Sequence, residues 1–303
     1  MTTETKMKTV LVTGASRGIG RAAAIKLAGR GVRVGIHYRE SDSLAKSVLA
    51  GLPGSGHAIF KADMGDPADV ERLWAEVTAQ FGIVDAVVNN AAAHADHPPL
   101  DTGYEAWNEA WERILSVNLR GPANLSQLAA RDMAKRGSGR IVNISSRGAF
   151  RGEPESPAYG ASKGGLNSFS LSLAKALAPS GVLVYCIAPG WVETEMAAGV
   201  LAGPRGAEIR SQHPLVMRPS GCCERRGDRE HDRFLRPGRT RRHDGLDPRR
   251  ERRVLPAHLR RYRSRANSTI ERRIMPALGS QAATMGSTTP LVAIAAAMLW
   301  SAM

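Results

Sequence analysis

Two side chains that could exchange a proton lie four positions apart in a segment whose pattern predicts a helix. Tyr159 and Lys163 would share one face of that helix, because residues four apart are neighbours on a helix surface. A cation beside a phenol favours the phenolate, so we expect Lys163 to lower the Tyr159 pKa from about 10 towards neutrality. An isolated Tyr-x-x-x-Lys is more often a half-buried ring beside a solvated cation, so other motifs must decide.

A glycine-rich segment follows the first predicted strand and opens the first predicted helix. It reads Thr13-Gly14-Ala15-Ser16-Arg17-Gly18-Ile19-Gly20. Gly14 permits a tight turn, Gly18 lets the backbone approach a pyrophosphate, and Gly20 lets helix and strand pack closely. The N-terminus of the helix favours the anion. In this context, between a strand and an amphipathic helix, the segment predicts a dinucleotide site.

The spacing Gly-x-x-x-Gly-x-Gly resembles that of the short-chain dehydrogenase/reductase family. Further motifs of the family follow in its order and at its intervals over residues 9–196. They are Lys-Ala-Asp63-Met64, Asn89-Asn90-Ala91, Ser-Val-Asn118-Leu, Ser146, Tyr159-x-x-x-Lys163 and Pro189-Gly190-x-x-x-Thr194. The family's catalytic serine precedes the tyrosine by thirteen residues, which selects Ser146 and leaves Ser145 a structural role. The group most resembled is the 3-oxoacyl-acyl-carrier-protein reductases, with their sugar- and alcohol-oxidising cousins.

This resemblance implies hydride transfer between a nicotinamide cofactor and a carbonyl or alcohol substrate, with Tyr159 as general acid/base. Ser146 would hydrogen-bond the substrate oxygen, and Asn118 would hold a water that relays protons to Lys163. Asp63 and Met64 would flank the adenine. The full set of predicted cofactor contacts is Gly14, Ser16, Arg17, Gly18, Ile19, Gly20, Arg39, Asp63, Met64, Asn90, Ala91, Tyr159, Lys163, Pro189, Gly190, Val192 and Thr194.

The end of the second predicted strand indicates which cofactor is preferred. It reads His37-Tyr38-Arg39, with no carboxylate before Glu40. A carboxylate there would accept hydrogen bonds from a ribose 2′-hydroxyl and repel a 2′-phosphate. Arg17 and Arg39 suit a phosphate, because a guanidinium can bind it through two hydrogen bonds. NADPH is therefore the favoured cofactor, and NADH is also accepted if Arg39 is only a solvated loop residue.

Four further residues near the predicted site do not decide which substrate is bound. Arg147 and Arg151 add positive charge near the tyrosine, which would favour an acidic carbonyl compound or a carrier-bound acyl group; solvated loop arginines are the plainer interpretation. His94 and His97 lie three apart in a polar loop that contains proline. We expect them to be solvated or to line the substrate rather than to bind a metal.

Short apolar runs alternate with amphipathic stretches along the first two thirds of the chain. This pattern predicts an α/β fold, a doubly wound parallel sheet of the Rossmann type. The family's usual seventh strand is not recognisable. Strands are predicted at residues 9–13, 32–37, 57–61, 86–89, 139–144 and 182–187, and helices at about 18–29, 43–52, 67–81, 107–133 and 158–178, with another after 194.

Composition divides the chain into a reductase domain, residues 1–217, and a tail, residues 218–303. Of the 42 Lys and Arg residues behind the net charge of +14, 19 lie in the tail, and all 19 are Arg. The stretch 225–273 has neither helical nor strand periodicity and too little apolar surface to order itself readily. We therefore predict that the tail is irregular or disordered and unrelated to the family.

Codon arithmetic suggests why the family's ending is missing. Arg, Gly and Pro codons are rich in G and C, and a one-base shift can convert codons for Glu251-Arg252-Arg253 into Asn-Gly-Gly, which closes the family's final segment. We hypothesise a frameshift at about residues 217–222. Loss of the last core helix and seventh strand would expose a sheet edge. We would then expect low stability, weak or absent activity, and impaired assembly of the family's homotetramer or homodimer.

Two other functions remain open: a product that binds cofactor without turnover, and nucleic-acid binding through the tail arginines. The tail has only three aromatic residues, so stacking platforms are not evident. The polar start of the chain predicts no secretory signal, and three cysteines without metal-like spacing predict neither disulfides nor zinc. The apolar run 291–300 is too short to span a bilayer. A cytoplasmic enzyme without a transmembrane segment or metal is expected.

Overall fold

The computed structural model describes residues 8–190, 192, 202–204 and 207. The predicted tail and most of the helix predicted after residue 194 lie outside this part. The strands are β1 (Thr9–Val12), β2 (Arg33–Tyr38), β3 (Ala58–Lys61), β4 (Ala86–Asn89), β5 (Gly139–Ile144) and β6 (Val182–Ile187). The helices are α1 (Gly18–Ala28), α2 (Asp42–Gly51), α3 (Pro67–Phe81), α4 (Tyr104–Leu115), α5 (Gly121–Lys135), α6 (Gly148–Arg151) and α7 (Pro157–Leu177). A π-helical segment, Ser116–Arg120, joins α4 to α5, and a 3₁₀ turn, Ala178–Ser180, follows α7.

The six strands form one parallel sheet in the order β3-β2-β1-β4-β5-β6. The chain first builds outward from β1 and then returns to the other side of β1, so the order reverses between β1 and β4. Ligands of such sheets bind outside the carboxyl ends of the strands at this reversal. The predicted doubly wound Rossmann sheet and its six strands are confirmed.

Apolar side chains cover both faces of the sheet. In β1, Val10 and Val12 join a buried cluster with α1 and α2, while Leu11 joins a second cluster with α3 and α5 on the opposite face. This alternation follows from the two-residue period of a strand. Because helices cover both faces, the carboxyl edge is the part of the sheet where polar loops can meet.

The helix predicted over residues 107–133 is two helices joined by the π-helical segment. The Gly121 N–H donates to the Ser116 carbonyl, five residues back. Pro122 has no N–H, so residue 122 can bond neither the Val117 nor the Asn118 carbonyl. The α-helical ladder therefore breaks at Asn118, in the kind of segment often found at functional sites. Helical periodicity alone gave no sign of this break, although Pro122 marks the first turn of the second helix, a position where Pro is common.

Two buried amides tie the carboxyl ends of β4 and β5 together. Asn89 and Asn143 are register partners, and Asn89 Nδ2 donates to Asn143 Oδ1 at 2.8 Å. Asn89 Nδ2 also donates to Ser126 Oγ on α5 at 3.0 Å, and Asn143 Nδ2 donates to Ser170 Oγ on α7 at 2.8 Å. The loops that carry the candidate site leave β4 and β5 just beyond these amides, so their starting points are fixed.

Candidate active site

The glycine turn, residues 13–20, connects β1 to α1 at the carboxyl edge of the sheet. Gly14 and Gly18 have φ of +62° and +55°, in the left-handed region that side chains disfavour. Because α1 begins at Gly18, its first N–H groups have no acceptor within the helix. N–H groups in this arrangement bind phosphate groups.

The shape of the turn depends on the absence of side chains. A Cβ on Gly14 would lie 2.9 Å from Ala91 Cα. A Cβ on Gly20 would collide with the Gly14 carbonyl oxygen and with Asn90 Nδ2. The backbone therefore forms a narrow cradle at the helix N-terminus, and this cradle fits the diphosphate of a nicotinamide dinucleotide. Of the other predicted contacts in the turn, Ser16 is buried, Ile19 is half-buried and Arg17 is exposed.

Thr13 joins the turn to the loop after β4. Its Oγ1 accepts hydrogen bonds from the N–H groups of Asn90 at 2.9 Å and Ala91 at 3.0 Å. Asn90 Nδ2 in return donates to the carbonyls of Thr13 at 2.9 Å and Gly14 at 3.1 Å. The structure thus brings two predicted cofactor residues, Asn90 and Ala91, against the turn. The hydroxyl that holds them was not predicted.

His37 holds the turn from the other side. Its Nδ1 accepts from the Gly14 N–H at 3.0 Å, so Nε2 carries the proton and donates to the Ala62 carbonyl at 3.0 Å. Burial lowers the His37 pKa from 6.5 to about 4, which keeps the ring neutral and able to accept. Sequence reasoning missed this role, because a lone histidine on a strand has no signature of its own.

Asp63 and Met64 follow β3. Arg113 Nη1 donates to both carboxylate oxygens of Asp63, at 3.0 and 2.8 Å, and the Gly65 N–H donates to Oδ1 at 2.8 Å. Met64 is buried. The orientation of the Asp63 carboxylate is therefore set by α4, an interaction between residues 50 positions apart that the sequence did not reveal.

The two arginines predicted to select the cofactor flank the turn. Arg17 is the residue that precedes α1, and Arg39 directly follows β2. Arg39 Nη2 lies 2.6 Å from Glu40 Oε1, with both side chains largely exposed. An exposed ion pair of this kind contributes little to stability. A bound phosphate could therefore compete with Glu40 for the guanidinium.

Ser146 and Tyr159 lie side by side, the serine just beyond β5 and the tyrosine in the first turn of α7. The Gly148 N–H donates to Ser146 Oγ at 3.0 Å. Burial raises the Tyr159 pKa, the nearby Ser146 hydroxyl opposes that rise, and the Glu153 charge adds to it. The pKa is raised overall, so the expected lowering by Lys163 is wrong for this structure.

Lys163 explains that difference. Its Nζ donates to the Ile144 carbonyl at 2.8 Å and lies 5.7 Å from the Tyr159 ring centroid. The side chain is buried, and burial lowers its pKa from 10.5 to about 8. Because Lys163 is itself buried and directed at the Ile144 carbonyl, its charge does not offset the rise in the Tyr159 pKa that burial causes. Ser145 Oγ donates to the Lys163 carbonyl at 3.3 Å, which agrees with the structural role expected for it.

Asn118 lies in the π-helical segment with its amide fully bonded. Its Oδ1 accepts from the Ala93 N–H at 2.7 Å, and its Nδ2 donates to the Ala93 carbonyl at 2.9 Å and to Ser162 Oγ at 3.1 Å. The Ser162 hydroxyl in turn donates to the Tyr159 carbonyl at 2.7 Å. A water held by Asn118 would therefore bind its backbone carbonyl, to which Pro122 cannot donate.

The loop after β6 also reaches the site. The Arg147 N–H donates to the Pro189 carbonyl at 3.0 Å, which brings Pro189 beside Ser146. Gly190 is half-buried and Val192 is buried. Thr194, the last predicted cofactor contact, lies outside the described residues.

The two histidines of the loop after β4 differ from each other. His97 is buried with 1% of its surface exposed, so the expectation of a solvated or substrate-lining residue is wrong for it. The His94 ring packs edge-on against the Tyr159 ring with centroids 5.0 Å apart, as a substrate-lining residue would. Within the described part of the chain, no three His, Cys, Asp or Glu side chains could hold a metal ion together.

Comparisons with known proteins agree with this geometry. A family model described as short chain dehydrogenase matches residues 8–204. The chain belongs to the short-chain dehydrogenase family. Among its relatives is a 3-oxoacyl-acyl-carrier-protein reductase of Escherichia coli, 39% identical over 208 residues, which are 68% of this chain and 82% of the relative. An enzyme of the same name from Synechocystis is 36% identical over 196 residues, which are 64% of this chain and 78% of the relative. Another from Staphylococcus aureus is 35% identical over 211 residues, which are 69% of this chain and 84% of the relative.

As a short-chain dehydrogenase, the protein is an oxidoreductase that uses a nicotinamide dinucleotide. The predicted function is thereby confirmed at this level, and the comparisons give no support to nucleic-acid binding or to a silent cofactor-binding protein. The family match stops at residue 204, before the tail. No helix in the described part of the chain is long and apolar enough to cross a membrane.

Substitution of Gly20 by Ala tests the cradle. The added methyl group would collide with the Gly14 carbonyl and Asn90 Nδ2, and such overpacking costs about 1–3 kcal/mol. We expect NADPH affinity, measured by cofactor fluorescence, to fall about tenfold. The control is Gly29→Ala, at a helical φ of −62° with its new Cβ 3.4 Å from the nearest atom. Equal affinities of the two variants would contradict the cradle.

The lowered pKa of His37 predicts that the free energy of unfolding depends on pH. The unfolded side chain takes up its proton near pH 6.5, and the folded one only near pH 4. The unfolded chain therefore binds more protons between these values, and the free energy of unfolding should fall by up to about 3 kcal/mol as pH drops through this window. Above pH 6.5 the contribution is constant.

Urea unfolding of the full chain and of His37→Asn measures this effect. The asparagine Oδ1 can still accept from the Gly14 N–H but does not titrate, so the variant should lose less stability than the unmodified chain between pH 6.5 and 4. Identical slopes in the two proteins would show that His37 is not the neutral acceptor described here.

Proposed function

We propose that the protein is an NADPH-dependent carbonyl reductase, also able to act as an alcohol dehydrogenase in reverse, and that its substrates are 3-oxoacyl thioesters. The observation that carries this proposal is that Ser146 lies close enough to the Tyr159 phenol to lower its pKa, beside buried Lys163, on the edge of the sheet that carries the glycine turn. The printed name of the relatives, 3-oxoacyl-acyl-carrier-protein reductase, supports the substrate class.

The glycine turn would hold the cofactor diphosphate, while Asn90, Ala91 and Pro189 would flank its nicotinamide half. When bound, the nicotinamide supplies the hydride that reduces the substrate carbonyl carbon. The Ser146 hydroxyl holds the carbonyl oxygen. Tyr159 donates its phenolic proton to that oxygen, which becomes the alcohol; in the reverse direction the phenolate takes the proton back.

The protonation states of the site suit Tyr159 to the role of proton donor. Burial raises the Tyr159 pKa, so the phenol remains protonated at neutral pH and can act as the acid. Lys163, with a pKa of about 8, is still charged there and stabilises the phenolate that remains after proton transfer. A water on the Asn118 carbonyl would then return a proton through Lys163.

The side chains around Tyr159 support an acyl substrate carried on a larger group. Phe150 is 74% exposed and offers apolar surface for an acyl chain. Burial lowers the Arg147 pKa, and the charge of Arg151, which lies nearby, lowers it further. Their combined positive charge suits the phosphate of a thioester carrier.

Tyr159→Phe is the direct test of this function. Removing the general acid should lower the rate of NADPH oxidation with an acetoacetyl thioester about 100-fold or more. NADPH affinity should fall far less than the rate, because the glycine turn is intact. Tyr185→Phe, on β6, is the matched control and should retain activity. An unmodified chain that reduces other carbonyl compounds with NADPH but no oxoacyl thioester would overturn the proposal.

The NADPH preference rests on Arg39. A hydrogen bond to a charged group contributes about 1.5–3 kcal/mol, so Arg39→Ala should lower kcat/KM for NADPH about tenfold and leave that for NADH nearly unchanged. Arg39→Lys keeps the charge but not the two hydrogen bonds of a guanidinium, so its kcat/KM for NADPH should lie between those of the unmodified chain and Arg39→Ala. An unchanged NADPH-to-NADH ratio in Arg39→Ala would exclude Arg39 as the selecting residue.

We also propose that residues 1–217 form the reductase domain and residues 218–303 a separate tail that replaces the family's ending. Support comes from the family match, which ends at residue 204, and from the site residues, which all precede residue 195. We infer that this chain turns over more slowly, and forms a less stable oligomer, than relatives with the full ending. Sequencing the gene tests this: an independently confirmed frame whose one-base shift encodes no Asn-Gly-Gly ending would contradict the frameshift.

A further inference from the structure

The helix that carries Tyr159 is not capped by its own preceding residue. Ser156 is of the type that commonly accepts from the first N–H groups of a helix, yet it makes no such bond here. Its hydroxyl instead donates to the Ala95 carbonyl at 2.8 Å. Pro157, the first residue of α7, has no N–H to satisfy. The first N–H that needs an acceptor is that of Ala158, directly before Tyr159.

His97 supplies that acceptor from 61 residues earlier in the chain. The Ala158 N–H donates to His97 Nε2 at 3.0 Å. Since an amide nitrogen can only donate, Nε2 is unprotonated, and the proton on Nδ1 is donated to the Ala95 carbonyl at 2.8 Å. The Trp107 ring packs edge-on against the imidazole with centroids 5.5 Å apart. Both nitrogens and the ring plane are therefore fixed.

The loop that carries His97 is anchored at both ends. Its first part is held by Asn118, which bonds the N–H and the carbonyl of Ala93. Its last part is held by the His97 N–H, which donates to the Glu155 carbonyl at 2.7 Å. The loop begins at Ala91, whose N–H donates to Thr13 Oγ1. Hydrogen bonds spaced along this loop thus connect the glycine turn, through the loop backbone, to the residue before Tyr159.

We propose that His97 is a positioning residue that sets the distance between the Tyr159 hydroxyl and the bound cofactor. The inference rests on the proposed function, in which Tyr159 and the nicotinamide act on the same carbonyl. His97 touches neither of them; it fixes the first turn of α7 relative to the loop that begins at the glycine turn. Displacement of a catalytic group by about 1 Å can cost about 100-fold in rate.

Two variants separate the acceptor from the donor of the imidazole. In His97→Gln the amide oxygen can reach the Nε2 position and accept from Ala158, whereas in His97→Asn the amide can replace only the Nδ1 donor to Ala95. We expect His97→Asn to lower kcat about 100-fold with NADPH affinity unchanged, and His97→Gln to recover most of that loss. Equal kcat values in the two variants, or a loss of cofactor affinity that matches the loss of kcat, would overturn the proposal.

A measurement that needs no turnover uses the imidazole itself. Long-range ¹H–¹⁵N spectra of the full chain at neutral pH should show one histidine protonated at Nδ1 and bare at Nε2, and its signal should vanish in His97→Gln. A His97 protonated at Nε2 would contradict the inference. If the tautomer is as stated while Tyr159→Phe does not lower NADPH oxidation, the proposed function fails and the capping role stands.

Discussion

The site depends on one constraint: the glycine turn and the first turn of α7 must keep a fixed separation, since cofactor and proton donor act on one carbonyl. Thr13 is central to it. Its buried hydroxyl accepts from Asn90 and Ala91 and donates to the Val88 carbonyl at 3.2 Å. One side chain at the end of β1 therefore fixes both the cofactor turn and the start of the loop that leads to Tyr159.

Two buried neutral histidines extend this constraint in opposite directions. His37 accepts from Gly14 and holds the cofactor turn to β2, while His97 accepts from Ala158 and holds the catalytic helix to the loop after β4. A neutral imidazole suits this task because it accepts at one nitrogen and donates at the other. Both rings bridge elements that are far apart in sequence.

The sequence allowed the strands, the sheet type and the glycine turn to be predicted, because each leaves a local pattern. Tyr159, Lys163 and Ser146 could be selected by their spacing once the other motifs had indicated the family. The roles of Thr13, His37 and His97 could not, since each depends on contacts between residues 23 to 78 positions apart. The Tyr159 pKa was misjudged for a related reason: spacing placed Lys163 on the same helix face but did not reveal that both side chains are buried.

A double-mutant cycle tests most directly whether one connected path holds the site. Thr13→Val and His97→Asn would be compared, singly and together, by the single-turnover rate of NADPH oxidation at saturating cofactor. If both residues serve one path, breaking it twice should cost little more than breaking it once, and the double variant should match the slower single variant. Losses that add to within about 0.5 kcal/mol would contradict the account, because independent sites behave in that way.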